Sequence, residues 1–300
     1  MRIVWAFNSR GIRRIAALAA ALAMVIAGGV YVGRQMGAQT TMGPANKEVP
    51  VYRVNRQDKK IAISFDAAWG AEKTGEILDI LDQKGVKATF FLVGFWVDKY
   101  PDRVKEIASR GHEVGNHSTN HPHMSELTRE QIELEVKTTG DKIAQLTGKQ
   151  PVVFRPPFGD YNNLVVNTLR EMNYEVIQWD VDSLDWKEIG TQDMIKRVTG
   201  KVKPGSIVLF HNNSRDICEA LPTILDQLIA DGYEIVPVSE LLLPAPTTVD
   251  TQGEQQPASG AASAAPAASP AATAPTASPA ATPAASAAAD RSAGVLAEGW

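Results

Sequence analysis

Residues 60–66, KIAISFD, give the first indication of how this chain folds. Four apolar residues and a serine lie between a lysine and an aspartate, which predicts a strand buried on both faces. A similar run, KATFFLVG at 87–94, follows a segment whose Ile77, Leu78 and Leu81 fall on one face of a helix predicted over 72–83. Two buried strands joined by a helix predict a right-handed crossover and a parallel sheet.

The same alternation of strand and helix continues to about residue 243. Five further strands are predicted at 112–117, 152–155, 174–181, 206–211 and 233–238, with helices at 101–110, 128–146, 164–172, 191–202 and 217–230. Thr128 and Gln131 have the spacing of a capping box, and Gly148 is placed to end that helix. Seven such strands favour a closed or nearly closed barrel, although periodicity alone also allows an open doubly wound sheet.

The composition is that of one globular domain with extensions. The chain has 300 residues, of which 44% are hydrophobic and 21% are charged, and its net charge is −4. It contains no basic block, so we expect no nucleic-acid partner. Cys218 is the single cysteine, which excludes an internal disulfide and a Cys-x-x-Cys metal site.

The first 34 residues have the pattern of an export segment. Four arginines within 1–14 precede an uncharged apolar run at 15–32, which approaches the length of a membrane span. The basic flank predicts that everything after Arg34 lies outside the cytoplasm. Because no clear Ala-x-Ala cleavage site follows, we favour a single-pass membrane anchor over a cleaved signal peptide, which would leave the protein secreted.

The remaining chain divides into a linker, a domain and a tail. We assign 35–50 to the linker, 51–243 to the domain and 244–300 to a disordered tail. Positions 261–289 contain only alanine, serine, proline and threonine. Such a segment lacks the large apolar side chains that offset the entropy lost on ordering.

Charged and imidazole side chains stand at the carboxyl ends of five predicted strands. They are Asp66, His117, Arg155, the pair Asp180 and Asp182, and His211. The carboxyl ends of parallel strands meet at one edge, where barrel enzymes build their active sites. Each residue alone has an ordinary structural explanation, but together they predict one site at this edge.

His117 and His121, in the segment HSTNH, are two of only five histidines. If the backbone is helical there, residues four apart share a face and both imidazoles can bind one cation. Imidazole suits zinc and its first-row neighbours. Such pairs also arise by chance on surface helices, so the shared edge is what favours a metal site.

The residues at this edge resemble the five motifs of the polysaccharide deacetylases, the NodB-homology domain of carbohydrate esterase family 4. The resemblance spans about 60–242 and keeps the family order: SFDAAWG at 64–70, HSTNH at 117–121, RPPFG at 155–159, DSLDW at 182–186 and LFH at 209–211. It implies an α/β fold, a distorted (β/α)7 parallel barrel. The Asp-Ala-Ala-Trp-Gly variant is most similar to the sporulation-associated PdaB-type branch.

The resemblance implies a role for each matching position. Asp66 resembles the general base, Arg155 the arginine that holds it, and His211 the general acid with Asp185 as its orienting carboxylate. His117 and His121 resemble the metal ligands, and the backbone N–H of Phe158 an oxyanion donor. The apolar pocket for the acetyl group is expected from three residues: Pro156, Trp186 and Leu209. The implied cofactor is a divalent metal, Zn²⁺ or a similar ion such as Co²⁺.

One position departs from the family pattern. The second aspartate of the first motif, a third metal ligand in most members, is Ala67 here. An alanine methyl group cannot bind a cation, so two neutral ligands are left and the affinity is expected to be weak. Trp69 and Trp96 are candidates for lining a sugar groove, with packing an equally good explanation.

These observations lead to two main hypotheses about function, beside a third in which the same machinery deacetylates another acylated polymer. The first is a metal-dependent hydrolase that removes N-acetyl groups from an extracytoplasmic polysaccharide, peptidoglycan (GlcNAc or MurNAc) or a chitin-like oligosaccharide, in sporulation or cell-wall modification. The second, motivated by Ala67, is an inactive or weakly active protein that binds glycan or a spore-envelope partner. The presence of a base, its clamp and an acid together favours the hydrolase.

Overall fold

The structure is a computed structural model that describes residues 47–258. The predicted anchor at 15–32, most of the linker and the low-complexity part of the tail lie outside these residues. Within 47–258, no helix is both long enough and apolar enough to cross a membrane.

Short strands alternate with helices along the described chain. The strands are β1 Arg53–Val54, β2 Lys60–Ala67, β3 Thr89–Leu92, β4 Glu113–Asn116, β5 Val153–Phe154, β6 Glu175–Val176, β7 Val181–Asp182, β8 Ile207–His211, β9 Glu234–Ile235, β10 Thr247–Val249 and β11 Glu254–Pro257. The helices are α1 Thr74–Gln83, α2 Gly94–Lys99, α3 Pro101–Ser109, α4 Arg129–Thr147, α5 Asn163–Glu171, α6 Thr191–Thr199, α7 Ile217–Ala230 and α8 Val238–Leu241.

The main sheet is parallel and follows the chain around an incomplete barrel. Its strand order is β6-β5-β4-β3-β2-β8-β7, and β9 pairs with the first residues of β2. Read as a ring, this order runs from β2 to β8 in sequence, with one gap between β6 and β7. Only residues 177–180 connect those two strands, so the edges must lie close together. This order excludes the open doubly wound alternative and supports the parallel α/β barrel.

The gap between β6 and β7 explains one error of prediction. A single strand was expected over 174–181, but the chain leaves the sheet after Val176 and rejoins it at Val181. The segment around Val51 enters the gap: its N–H donates to the Val176 carbonyl (2.8 Å), and the Gln178 N–H donates to the Val51 carbonyl (2.7 Å). Hydropathy cannot detect this insertion, because both segments are apolar.

Alternation along β2 separates the barrel interior from the helix layer. Ala62 packs with Phe91 and Ile207 in the interior cluster. Ile63 and Phe65 belong to the larger cluster that includes residues of the surrounding helices. Successive strand residues face opposite sides, so Asp66 shares the interior face with Ala62.

The predicted start and end of the longest helix are confirmed. Thr128 accepts a hydrogen bond from the Gln131 N–H, and the Gln131 side chain accepts one from the Thr128 N–H, which completes the capping box before α4. Gly148 ends the helix with φ of 74°, a conformation that favours glycine.

The predicted boundary of the tail at 244 is wrong, because the folded part continues to Pro257. Strand β11 pairs with β1 in parallel and with β10 in antiparallel orientation, forming a separate three-stranded sheet. Gln255 is buried, and its side-chain oxygen accepts a hydrogen bond from the Leu243 N–H (2.8 Å). The low-complexity composition begins beyond this sheet, and the boundary was set too early.

Candidate active site

The parallel strands bring the predicted polar residues to one edge. Asp66 and His211 are neighbours in the register of β2 and β8, while His117 and Arg155 directly follow β4 and β5. A cleft of about 630 Å³ opens there, lined by Asp66, Ala68, Trp69, His117, His121, Phe158, Trp179, Asp182, Trp186, Leu209, His211, Asn212, Asn213 and Ser214.

Asp66 is a buried carboxylate with two charged or polar neighbours. Its Oδ1 accepts a hydrogen bond from Nη1 of Arg155 at 2.7 Å, and its Oδ2 lies 3.5 Å from Nε2 of His117. Burial, the largest single cause, would raise the pKa of Asp66, but the charges of Arg155, His117 and His211 and the hydrogen bond from Arg155 together outweigh burial and lower this pKa. Asp66 is therefore ionised at neutral pH and has one oxygen that is not used by Arg155.

Arg155 is fully buried and orients Asp66 from inside the barrel. Its Nη2 donates to the hydroxyl of Ser64 (2.9 Å) and to the carbonyl of Gln178 (3.1 Å), and the guanidinium lies 4.1 Å from the ring centroid of Phe91. These contacts leave Arg155 little freedom to rotate, so the direction of the Asp66 carboxylate is fixed.

The segment between His117 and His121 is a loop, which corrects the helical premise of the sequence argument. Ser118 and His121 have positive φ angles of 67° and 57°. The side chain of Asn116 accepts from the Ser118 N–H (3.0 Å), and the Ser118 hydroxyl accepts from the His121 N–H (3.1 Å). These bonds favour the left-handed turns over a helix. The two imidazoles still meet, with ring centroids 5.0 Å apart.

Both imidazoles are held in the neutral form that can bind a cation. Nδ1 of His117 donates to the carbonyl of Arg155 at 2.6 Å, which leaves Nε2 with a free lone pair. Burial lowers the pKa of His117, and burial with the nearby His117 lowers the pKa of His121 to about 4. Neutral imidazole is the ligand form, so protons do not compete for these nitrogens near neutral pH.

Ala67 supplies no third ligand. It is buried within the core cluster that includes residues of the surrounding helices. Among residues 47–258, no group of three or more His, Cys, Asp or Glu side chains is arranged to hold a metal ion. A divalent cation at this position would have only His117 and His121 as protein ligands, and the rest of its coordination would come from outside the chain.

His211 and Asp185 form a second connected pair on the other side of the cleft. Nδ1 of His211 donates to Oδ1 of Asp185 at 2.8 Å, and the His211 N–H donates to Oδ2 at 2.7 Å. Burial, the largest single cause, lowers the pKa of His211, but the hydrogen bond to Asp185 and the charges of Asp185, Asp66 and Asp182 together outweigh burial and raise the pKa. The imidazole of His211 thus stays protonated to higher pH than a free imidazole.

Of the remaining predicted site residues, three line the cleft and one does not. Trp186 and Phe158 are exposed on the cleft, and Leu209 is buried at its base. Phe158 has φ of 59° within a short 3₁₀ turn at Pro157–Gly159, which carries its side chain to the cleft. Pro156, predicted as part of the pocket, is instead buried before this turn and does not line the cleft.

Asp180 does not belong to the site. Its carboxylate accepts hydrogen bonds from the Ile207 N–H and the Ser206 hydroxyl, both at 2.9 Å, at the start of β8. It therefore lies at the opposite edge of the sheet, since the strand that was predicted to end there is divided. Trp96 is buried, whereas Trp69 is exposed on the cleft.

Sequence reasoning missed several residues that line or support the cleft: Ser64, Trp179, Asn212, Asn213 and Ser214. The three that follow β8 were detectable, because residues after the carboxyl end of a barrel strand face the active-site edge. Trp179 was not, since it lies in the connection between β6 and β7 that was predicted as strand.

Comparison with known proteins points to the same family as the five sequence motifs. A family model described as polysaccharide deacetylase matches residues 53–177. A peptidoglycan-N-acetylglucosamine deacetylase of Bacillus cereus is 37% identical over 196 residues, which cover 64% of this chain and 92% of that protein. The uncharacterised protein YlxY of Bacillus subtilis is 36% identical over 193 residues, 64% of this chain. The match spans 60% of the length of YlxY.

The solved structures include relatives described as lacking activity. A wild-type CE4 family pseudoenzyme from Bacillus anthracis matches with a TM-score of 0.62 and 36% identity, covering 67% of this chain and 69% of that chain. A mutant of that pseudoenzyme is described as having restored enzymatic activity; it matches with the same TM-score and 37% identity, over 72% of its length.

Proposed function

Because this chain belongs to the polysaccharide deacetylase family, carbohydrate esterase family 4, we propose that it is an N-deacetylase that hydrolyses the acetamide of a sugar in peptidoglycan or a chitin-like glycan. The observation that carries this proposal is that one cleft holds a carboxylate with a lowered pKa and an imidazole with a raised pKa. Asp66 beside Arg155 has a lowered pKa, whereas His211 beside Asp185 has a raised one. A carboxylate base and an imidazolium acid are what amide hydrolysis requires.

Each residue has a defined task in this proposal. Asp66 takes a proton from the attacking water with the oxygen that Arg155 does not hold. His211 donates a proton to the nitrogen of the leaving amine, and Asp185 keeps its imidazole oriented. The backbone N–H of Phe158 donates to the oxygen of the tetrahedral intermediate. Trp186 and Leu209 contact the acetyl methyl group.

A bound cation would add Lewis-acid chemistry to these residues. A divalent ion such as Zn²⁺, held by His117 and His121, would supply a Lewis acid that lowers the pKa of water and polarises the acetyl carbonyl. The fixed Nδ1–H bond from His117 to the Arg155 carbonyl keeps Nε2 directed to the cleft. Without a third protein ligand, the ion is expected to exchange readily.

Acetate release tests the proposal. The full chain is incubated with peptidoglycan and with N-acetylated chitooligosaccharides in the presence of Zn²⁺ or Co²⁺, and acetate is measured. We expect release that falls by roughly 100-fold or more in His211→Ala, because a general acid contributes at least that factor to amide cleavage. Release at the same rate in His211→Ala would contradict the assignment.

A second candidate function is a glycan-binding protein with little or no turnover. Ala67 favours it, because the described residues contain no three-ligand group. The similarity to a pseudoenzyme of Bacillus anthracis supports it as well. In this case the cleft binds an N-acetylated glycan, and the connected Asp66–Arg155 and Asp185–His211 pairs keep only their structural value.

The variant Ala67→Asp separates the two candidates. Most members of the family have an aspartate at this position as a third metal ligand, so the added carboxylate is expected to tighten Zn²⁺ binding by about tenfold or more. Without metal, the same buried charge is expected to lower Tm. Metal content and acetate release are measured on one preparation, with Ala67→Ser as the control. Activity in the wild type supports the hydrolase, whereas activity that appears only in Ala67→Asp supports the binding protein.

We also propose an extracytoplasmic location, supported by the basic flank and the apolar run at 15–32. Membrane fractionation combined with protease treatment of intact cells tests it: an anchored protein stays with the membrane and is digested from outside. A role in sporulation rests only on the Asp-Ala-Ala-Trp-Gly variant and stays a prediction.

A further inference from the structure

Phe158 has a backbone conformation that its side chain disfavours. Its φ and ψ angles are 59° and 7°, in the left-handed region that bulky residues rarely adopt. The next residue, Gly159, also has a positive φ angle, 67°, but glycine adopts this region freely. The conformation of Phe158 therefore depends on contacts that offset its cost.

The ring of Phe158 makes such contacts with two imidazoles. It is stacked on His123, with ring centroids 4.5 Å apart and 19° between the ring planes. His121 meets it edge to face, with centroids 4.4 Å apart and an interplanar angle of 75°. An aromatic contact stabilises by an amount similar to the cost of one left-handed residue, so these two contacts can hold Phe158 in place.

His123 is carried by a segment that is anchored in the core. It directly precedes the 3₁₀ turn Met124–Glu126, and its carbonyl accepts a hydrogen bond from the Glu126 N–H (3.2 Å). Met124 is fully buried in a core cluster with Phe154 and Leu169. The backbone of His123 is thus fixed, although its side chain is 57% exposed.

A second contact joins the same two segments. The carboxylate of Asp160 accepts hydrogen bonds from the N–H and the hydroxyl of Ser125, both at 2.9 Å. The Asp160 N–H in turn donates to the Pro157 carbonyl (2.9 Å), which closes the turn that contains Phe158. Nδ1 of His123 lies 3.8 Å from Oδ2 of Asp160, too far for a hydrogen bond. His123 therefore supports the turn through the face of its ring.

We propose that His123 is a positioning residue, whose ring holds Phe158 in the left-handed conformation and thereby sets the direction of the Phe158 backbone N–H. His123 does not line the cleft, so its ring acts through Phe158 rather than on the substrate. This inference rests on the proposed function, which makes that N–H the donor to the tetrahedral oxygen. If the stacked ring is lost, Phe158 is free to return to a negative φ angle, which turns the N–H away from its present direction.

Steady-state kinetics of the full chain test this role, with Zn²⁺ present and tetra-N-acetylchitotetraose as substrate. His123→Ala is expected to lower kcat by roughly 10–100-fold, because the oxyanion donor is misplaced. KM should stay within about threefold, since this donor acts mainly in the transition state. His123→Phe keeps the ring face without the ring nitrogens and should restore kcat to within about threefold of wild type. The control is Glu126→Ala, an exposed position in the adjacent 3₁₀ turn, which should change kcat by less than about twofold.

A measurement without turnover separates this role from the proposed function. The residual dipolar coupling of the Phe158 N–H bond reports its direction, and Tm establishes that each variant is folded. We expect a changed coupling in His123→Ala and the wild-type coupling in His123→Phe and Glu126→Ala. An unchanged coupling in His123→Ala, or a loss of kcat that His123→Phe does not restore, would overturn the positioning role. A changed coupling in His123→Ala beside a wild type that releases no acetate would contradict the hydrolase and leave the control of Phe158 by His123 standing.

Release by the wild type with an unchanged coupling in His123→Ala would remove only the positioning role.

Discussion

His211 and Asp185 show how a single buried carboxylate fixes both the orientation and the pKa of an imidazole. Both oxygens of Asp185 are used by one residue, Oδ1 by the imidazole and Oδ2 by the backbone N–H of His211. The carboxylate is buried, so little water competes for it. Orientation and charge of the imidazole therefore depend on the same side chain.

Asp185→Asn tests this dependence through the pH profile. The raised pKa of His211 keeps the acid form present to higher pH, so removing the negative charge lowers that pKa and the acid is lost earlier as pH rises. We expect the alkaline limb of kcat/KM to move to lower pH, with a loss of roughly 10–100-fold at neutral pH. This shift is measured from the rate of acetate release across pH 5–10.

Asp182→Asn is the matched control for this prediction. Asp182 also raises the pKa of His211 through its charge, but as the weakest of the causes, and its Oδ1 accepts from the Leu184 N–H (2.8 Å). The alkaline limb of kcat/KM for Asp182→Asn should also move to lower pH, but by less than for Asp185→Asn. Equal shifts in the two variants would mean that long-range charge, not the direct hydrogen bond, sets this pKa.

At the scale of elements, helix α4 fixes the loop that carries the two histidines. Glu135 on this helix accepts hydrogen bonds from the Thr119 N–H (2.9 Å), the Asn120 N–H (2.8 Å) and the Asn120 side chain (2.6 Å). These charge-assisted bonds offset the cost of the positive φ angles at Ser118 and His121. The positions of His117 and His121 thus depend on a residue that does not line the cleft.

Glu135→Gln is expected to loosen this loop. Both backbone N–H groups donate to Oε2 of Glu135, and the Asn120 side chain donates to Oε1. A glutamine that keeps its oxygen at the Oε2 position places its NH₂ group against the Asn120 NH₂ group, so the charge and at least one bond are lost at about 1–3 kcal/mol. We expect a lower Tm, by roughly 2–4 °C per kcal/mol, and about tenfold weaker Zn²⁺ binding, measured by calorimetry. The control is Glu133→Gln, because the ion pair of Glu133 with Arg129 is exposed and 3.9 Å long. Unchanged Zn²⁺ affinity in Glu135→Gln would show that the loop holds its shape without this anchor.

At the scale of the whole molecule, the sequence predicts the repeating architecture better than its exceptions. Buried runs such as KIAISFD identify the long strands, and polar residues at their ends identify the site edge, because both signals are local. The split of the strand expected at 174–181 depends on Val51, which is more than 120 residues away in sequence. The left-handed loop at 117–121 depends on Glu135 and on Asn116, which periodicity does not register.

The small sheet of β1, β10 and β11 connects the end of the folded region to the barrel. The N–H of Tyr52 donates to the Gly253 carbonyl (2.8 Å), and the N–H of Asn55 donates to the Gln255 carbonyl (2.9 Å). Beside them, Val51 fills the gap next to Gln178, whose carbonyl holds Arg155. The sheet therefore supports the clamp on Asp66 through a short series of backbone contacts.

Removing this sheet is expected to loosen the backbone next to the candidate active site. A chain that stops after residue 243 loses β10 and β11, the bonds to Tyr52 and Asn55 and the ion pair of Arg53 with Glu254. At about 0.5–1.5 kcal/mol for each hydrogen bond, we expect several kcal/mol of lost stability and a Tm lower by roughly 5–15 °C. A chain that stops after residue 258 retains the sheet and is the control. Amide hydrogen exchange should speed up at Val51 and Gln178 only in the shorter chain; equal protection in both would show that β1 holds the barrel gap closed without β11.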